Sequence, residues 1–327
     1  MNDARARLRY LDETIDLLFP GPGAPRPYTL LPHRLLPRRL VPRAWWHPGG
    51  RLIVPSGQDS IENHLSEVFD TPVRVTLRVR PALRANRKPI LEARGPDGPI
   101  AFVKVGDTDL TRELVAHEAR TLDLLAAVPL KTVVPPAVLH HGSWRGLSVL
   151  ALTPLPVRRG RIPRGVLTDA IAEIARIPAE PVPDRAPPGN LPDPADRAFG
   201  GSTQAAGQGF AWHGDLTPWN ISRGPDGRLL VWDWERFGTG VPLGFDAVHH
   251  FFQRALRRDG PATAARACVA RALRVLAPFG LSASESRLTA IRYLIALADR
   301  HTADGHAPLG PPELWLNPVV DSQETLL

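Results

Sequence analysis

The residues of this chain best suited to chemistry lie in one stretch, Ala211–Glu235, which reads AWHGDLTPWNISRGPDGRLLVWDWE. It holds His213-Gly214-Asp215, then Asn220, then Asp233. The turn-forming run Gly224–Gly227 predicts a hairpin with strands Asn220–Arg223 and Arg228–Asp233. A four-residue turn sets Arg223 opposite Arg228 and Asn220 opposite Val231, with Asp233 two positions further on. Paired strands lie about 5 Å apart, so the Asn220 amide and the Asp233 carboxylate can converge on one cation. Asp215 precedes them in a loop and can reach the same space. Such a set suits phosphoryl transfer. That reaction asks for hard oxygen ligands to Mg2+, a carboxylate that orients an attacking hydroxyl and accepts its proton, and cationic cover for phosphates. His-Gly-Asp alone is a weak signal. The Asn five residues after the Asp and the aspartate across the hairpin make it specific.

HGDLTPWN followed by VWDWE resembles the signature of the aminoglycoside phosphotransferase/choline kinase family, which shares the protein-kinase-like fold. The resemblance covers roughly residues 73–255. It implies that Asp215 is the catalytic base and that Asn220 and Asp233 are Mg2+ ligands, with Asp233 in the Asp-Trp-Glu that replaces the kinase Asp-Phe-Gly. His213 is then expected to orient the loop rather than transfer protons, and Gly214 to permit a tight turn. Asp246, in GFDAVHH, falls where the family has a structural aspartate at a helix start, either capping that helix or holding the catalytic loop.

A kinase also needs a strand lysine on the nucleotide phosphates, placed by a helix glutamate. Lys104, in Ala-Phe-Val-Lys, ends a strand-like run, and the chain has only two other lysines, Lys88 and Lys131. Arg would not mimic its compact charge. On the next helix Glu118 lies among Val115, Leu122 and Leu125 and is the favoured partner, with Glu113 in reserve. The segment Arg80–Pro89 reads RPALRANRKP and has no glycine, so no Gly-rich phosphate loop is claimed. Backbone amides with Arg84, Arg87 and Lys88 are the candidates to hold phosphates there, an exposed basic hairpin tip being the plain alternative.

The resemblance implies an α+β, two-lobed, protein-kinase-like fold, and the order of elements read along the chain agrees with it: a small antiparallel-sheet N-lobe with one helix, then a larger, mainly helical C-lobe. The chain's 327 residues suit about two domains or lobes. Strands are expected at Val73–Val79, Ile90–Arg94 and Ile100–Val105, and a helix over Thr111–Ala127. Strands at Val133–His140 and Leu147–Leu155 follow, with the adenine-receiving hinge near Thr153–Leu155. Helices are expected at Val166–Ile177, Phe245–Arg258, Pro261–Ala277 and Ser282–His301. The boundaries so read are 71–152 for a nucleotide-binding N-lobe and 153–327 for a catalytic and acceptor-binding C-lobe. Residues 1–70 form an N-terminal extension packed on the N-lobe. It opens with an amphipathic helix, Arg5–Phe19, whose Leu8, Leu11, Ile15 and Leu18 share a face, and continues as short strands broken by proline.

Composition excludes several classes. Pro (36) and Gly (27) are abundant but aperiodic, so the chain is not collagen-like, and 43% hydrophobic content is too high for wholesale disorder. No apolar run approaches the ~18 residues of a membrane span, the first residues lack a signal-peptide core, and Cys268 has no partner for a disulfide. A cytoplasmic, membrane-free protein is expected. The net charge of +7, carried mainly by Arg, favours anionic partners without choosing among them. The pairs His140-His141 and His249-His250 do not suggest zinc, because neighbouring side chains point apart. Four of the eight tryptophans (212, 219, 232, 234) cluster at the proposed site, where hairpin packing accounts for them, so nucleic acid is not the expected partner.

The reading is an ATP- and Mg2+-dependent phosphotransferase acting on a hydroxyl of a small molecule (antibiotic, sugar or amino alcohol) or of a peptide Ser/Thr. A non-catalytic kinase-like module that binds a nucleotide or a partner is the alternative. The acceptor pocket is expected from the C-terminal helices and the Pro178–Phe210 region, neither of which carries a readable code. The sequence leaves the acceptor, the choice of ATP or GTP, and the oligomeric state open.

Overall fold

The structure is a computed structural model, and it describes residues 2–33, 36–47, 50–78, 86–158, 160–178, 209–305 and 308–324. Arg84, most of the Arg80–Pro89 loop and most of the Pro178–Phe210 region lie outside the described residues. The chain divides into two compact units. One comprises Met1–Asp123 with Pro136–Leu155, and the other Leu124–Pro135 with Pro156–Leu327.

The first unit is built on an eight-stranded sheet. Its strands are β1 (Ala24–His33), β2 (Leu36–Pro42), β3 (Arg51–Ser56), β4 (Arg74–Arg78), β5 (Ile90–Gly95), β6 (Gly98–Gly106), β8 (Val138–Trp144) and β9 (Leu147–Leu152). They run in the order β3-β1-β2-β4-β5-β6-β9-β8, and every pairing is antiparallel. Its helices are α1 (Asn2–Leu18), α2 (Ile61–Val68) and the start of α3 (Asp109–Ala126).

The early strands are not separate from the sheet: β2 pairs with β4 through Arg39↔Arg78 and Leu40↔Leu77. The prolines of β1 and β2 hid this extension, since proline cannot donate to a ladder and usually argues against a strand. Leu11, Ile15 and Leu18 of α1 are buried as expected, but Leu8 is 39% exposed and lies off that face. Glu62 of α2 is buried and accepts from Arg26 Nη1 (3.0 Å), Arg74 Nε (3.1 Å), Val75 N (2.9 Å) and the Tyr28 hydroxyl. It thereby ties α2 to strands β1 and β4. Burial and the Glu62 carboxylate together push the Tyr28 hydroxyl pKa far up.

Pro135-Pro136 ends the strand expected over Val133–His140. The short β7 (Val133–Val134) belongs to the second unit, and β8 starts afresh at Val138. β7 runs parallel to β12 (Leu229–Val231), which pairs antiparallel with β11 (Ile221–Arg223). Glu173 of α4 (Arg164–Ile174) holds β7 by accepting from the backbone N–H groups of Lys131 (2.5 Å), Thr132 (2.9 Å) and Val133 (2.7 Å). A second small pair joins β10 (Phe210–Trp212) to β13 (Gly238–Val241). Helices follow: α5 (Phe245–Asp259), α6 (Pro261–Ala270), α7 (Ala272–Leu276), α8 (Ala283–Ala303), α9 (Pro312–Trp315) and α10 (Asn317–Glu324). The single helix expected over Pro261–Ala277 is broken at Arg271, whose φ is −111°. Trp234, Phe252, Tyr293 and Trp315 are the largest fully buried side chains of this unit.

The β11–β12 hairpin differs from its expected register by one residue. The observed pairs are Ile221↔Val231, Ser222↔Leu230 and Arg223↔Leu229. Gly227 N donates to Gly224 O (3.1 Å), and Gly227 then adopts φ +88°. Gly224 N reaches on to Arg228 O (2.9 Å), so the connection is a turn plus one left-handed residue. The added residue moves every pair along by one. Trp232 N donates to Asn220 O (3.1 Å), which places Asp233 one residue, not two, beyond the partner of Asn220.

Candidate active site

In the first unit Lys104 lies on β6 between β5 and β9, paired with Ile90 and Leu150. Val103 and Val105 are fully buried, and strand alternation sends Lys104 to the opposite face. There its Nζ meets both carboxylate oxygens of Glu118, at 2.7 and 2.5 Å. The side chains of Lys104 and Glu118 are 9% and 0% exposed. Val115, Ala119 and Leu122 are buried on the same helix, α3, which fixes the face that carries Glu118. Glu113 is exposed and pairs with Arg120 at 3.0 Å. Lys88 is buried, with Nζ 3.5 Å from the Asn86 carbonyl. Arg87 is turned to α1, where it bonds Glu13 (3.3 Å) and stacks over the Tyr10 ring (4.9 Å).

In the second unit the loop from His213 to Asn220 is held at almost every residue. Asp246 accepts from His213 N (2.7 Å) and Gly214 N (3.3 Å). It serves the loop, while the start of α5 is capped by Gly244 without a side-chain bond. Burial pushes the Asp246 carboxyl up to about 7, against the opposing pull of the two N–H donors. Gly214 O accepts from Arg300 Nη1 (2.6 Å), whose guanidinium also lies 5.7 Å from the Trp212 ring. Gly214 has φ +78°, and a Cβ there would stand 2.1 Å from Arg236 O, so only glycine fits. His213 is fully buried, and its Nδ1 accepts from Asp215 N (3.1 Å). Burial lowers its pKa to about 4. A neutral ring whose Nδ1 is already an acceptor orients the loop.

The Asp215 side chain is one-third exposed, 33% accessible. Asn220 Nδ2 donates both to its carbonyl (3.0 Å) and to Oδ2 (2.8 Å). Two acceptors on one nitrogen assign the amide orientation, so Asn220 Oδ1 is directed away from the carboxylate. Asp233 follows the hairpin with φ +75°, a conformation uncommon for a non-glycine residue and one that turns the chain out of the strand. Trp234, next in sequence, is fully buried and donates to Val231 O (2.9 Å), which anchors the far side of that turn.

Two residues passed over in the sequence also reach the loop. His249 Nε2 lies 3.1 Å from Asp215 Oδ1, and His249 Nδ1 lies 3.0 Å from the Tyr293 hydroxyl. His250 Nδ1 lies 3.0 Å from Leu216 O, and burial holds its pKa at about 4. The two rings do point apart, but each finds its own place on the same loop. Of the four tryptophans near the site, Trp234 packs on His213 (4.5 Å) and Trp212 on Phe245 (5.4 Å). Trp219 is 40% exposed beneath Arg257, 5.2 Å from its ring.

Oxygen ligands of the Asn and Asp type, one of them with its amide orientation fixed, fit a divalent cation such as Mg2+ in chemistry. Among the described residues no helix is long and apolar enough to cross a membrane.

No family model and no curated protein matches the chain. Solved structures do. A Haemophilus somnus 129PT protein designated a fructosamine-3-kinase is 14% identical, with 80% of this chain and 96% of that one covered and a TM-score of 0.51. The streptomycin–ATP complex of APH(2")-IIa is also 14% identical (77% and 93% covered, TM-score 0.47). A GDP complex of aminoglycoside 2'-phosphotransferase-IIIa is 14% identical (73% and 87% covered, TM-score 0.44). At such identities a likeness speaks to the fold alone. With its antiparallel-sheet N-terminal part and helical C-terminal part, the chain has the protein-kinase-like fold of the Haemophilus somnus structure.

Proposed function

We propose that this protein is an ATP- and Mg2+-dependent phosphotransferase that moves the γ-phosphate to a hydroxyl of a small molecule or of a peptide Ser/Thr. The observation that carries the reading is the Asp215 carboxylate. It is one-third exposed and is held on both oxygens, by His249 on Oδ1 and by Asn220 on Oδ2. A carboxylate fixed in this way and open on one side suits the base of phosphoryl transfer, whose catalysis is mostly positioning and charge stabilisation.

In this reading Asp215 aligns the acceptor hydroxyl and takes its proton as the oxygen bonds to the γ-phosphorus. The bond to the β–γ bridging oxygen breaks, and ADP leaves. Asn220 Oδ1 and Asp233 are the residues to hold Mg2+, which when bound neutralises phosphate charge. Lys104, kept in place by Glu118, contributes a point charge to the nucleotide phosphates. Lys88, which is buried nearby in sequence, is a further candidate for that charge. The net charge of +7 disfavours a polycationic acceptor and suits a neutral or anionic one.

The test is transfer from labelled ATP across a panel of sugars, amino alcohols, antibiotics and Ser/Thr peptides, with extracts of the host as an open source of acceptors. Transfer by the wild type, reduced at least about 100-fold in Asp215→Asn at unchanged melting temperature, is the expected result. Nucleotide binding with no transfer to any acceptor would replace this reading with a non-catalytic nucleotide-binding module.

A further inference from the structure

His249 lies outside the His-Gly-Asp, Asn and Asp set, yet it is completely buried and makes two polar contacts in line. An ionised Asp215 can only accept, so the proton on the neutral imidazole sits on Nε2 and is donated to Oδ1 over 3.1 Å. Nδ1 is then bare and must itself accept. The group 3.0 Å away is the hydroxyl of Tyr293, which therefore donates to it. Tyr293 is fully buried on α8, and its ring is wedged against Phe245 (5.9 Å) and Phe252 (6.0 Å). Both rings are fully buried, and because the carboxylate can only accept, the line Tyr293 O–H to His249 to Asp215 has one direction.

The consequence is geometric. A carboxylate held only by Asn220 keeps freedom about the bond to its Cβ. A second donor on the other oxygen, from a different element, removes it. His249 engages Oδ1, and the Asp215 side chain remains 33% exposed. With no exposed surface, His249 cannot meet an acceptor, which limits it to acting through Asp215.

We infer that His249, its tautomer set by the Tyr293 hydroxyl, is a positioning residue that aims the Asp215 carboxylate at the acceptor hydroxyl. This rests on the phosphotransferase reading for its kinetic effect, although the hydrogen-bond line itself does not. Misaiming a reactive group by about 1 Å costs on the order of 100-fold in rate. His249→Leu is therefore expected to lower kcat by about 10- to 100-fold, with KM for ATP within about twofold of wild type. His249→Gln, whose Nε2 keeps a donor at the same reach, is expected to restore kcat to within about threefold. Tyr293→Phe preserves the ring packing and should lower kcat modestly in the wild type. In the His249→Leu background it should lower kcat no further, because the hydroxyl acts only through the imidazole.

A readout independent of turnover is the 15N spectrum of the histidine rings in the wild-type chain. His249 is expected with a protonated Nε2 and an acceptor Nδ1, the latter changed in Tyr293→Phe. A proton on Nδ1 overturns the inference whatever the enzyme does. So does a His249→Leu protein that transfers phosphate at the wild-type kcat, or a His249→Gln protein as slow as the Leu variant. A wild type that shows the expected spectrum but transfers no phosphate overturns the reading of function and leaves the hydrogen-bond line standing.

Discussion

Replacing Lys104 by Met should destabilise the first unit, and the structure sets the size. The ammonium touches both oxygens of a carboxylate that is 0% exposed, at 2.7 and 2.5 Å. Removing it takes away a positive charge in direct contact with a fully buried carboxylate. Losing one partner of such a pair costs about 3–5 kcal/mol, against the roughly 5–15 kcal/mol that holds a typical protein together. Glu118→Leu should cost a similar amount by taking the carboxylate away from the buried ammonium. The double variant Lys104→Met/Glu118→Leu removes both charges and should lie well above the sum of the singles, by a coupling of about 2–3 kcal/mol. Equilibrium urea denaturation of the four proteins, followed by circular dichroism, gives that coupling. A value under about 0.5 kcal/mol would mean that solvent already screens the pair, and the argument from burial would fall with it. Lys104→Arg adds a functional control. It keeps the charge but substitutes a planar fork for a point, so nucleotide affinity should fall even where stability is retained.

Two further outcomes follow from the loop that carries Asp215. His250 has a folded pKa of about 4, below the ordinary 6.5, so its contribution is present above pH 6.5 and lost as the pH falls towards 4. Asp246 has a folded pKa of about 7, above 3.8, and contributes in the opposite sense, losing stability as the pH rises through 7. His250→Asn, which keeps a donor for Leu216 O, should thus flatten the acid side of the stability curve by up to about 1.4 kcal/mol per pH unit, and Asp246→Asn should tilt it the other way. Urea titrations at pH 5 and pH 8 check both slopes, and parallel curves for the variants and the wild type would contradict them. Gly214→Ala should destabilise by more than about 3 kcal/mol or prevent folding, because a left-handed φ and a 2.1 Å contact with Arg236 O are imposed together. A soluble Ala variant melting within a few degrees of the wild type would contradict this.

How far the sequence reveals the fold depends on whether the signal is periodic. Lys104 and Glu118 were legible because strand alternation and helical spacing each leave one polar residue in an apolar setting. The hairpin between Asn220 and Asp233 was legible from its turn, but its register was not. The slip by one residue depends on Gly227 taking a left-handed φ, which composition permits without requiring. The proline-laden strands β1 and β2 read as fragments because proline argues against a ladder, whereas here it is accommodated within one. Glu62 gave no signal: a lone glutamate on a short helix becomes a four-way anchor only when Arg26, Tyr28, Arg74 and the Val75 N–H arrive from two strands.

His249 and His250 show what a correct local rule can miss. Adjacent side chains on a helix do diverge, and that disposes of a shared metal ion. The same helix, however, brings residues three and four apart onto one face. Asp246, His249 and His250 stand in that relation, and all three are buried. Read along α5, Asp246 takes the N–H groups of residues 213 and 214, His249 the side chain of 215 and His250 the carbonyl of 216. One helical turn thus grips the loop in sequence order, a placement that no single contact could impose. It also explains why polar groups that would burden a core helix are kept in one: each is paired, Asp246 and His250 with backbone groups of the loop and His249 with the Asp215 carboxylate. An Asp-x-x-His-His run on an otherwise apolar helix face, downstream of a His-Gly-Asp loop, is therefore a pattern with a mechanical meaning.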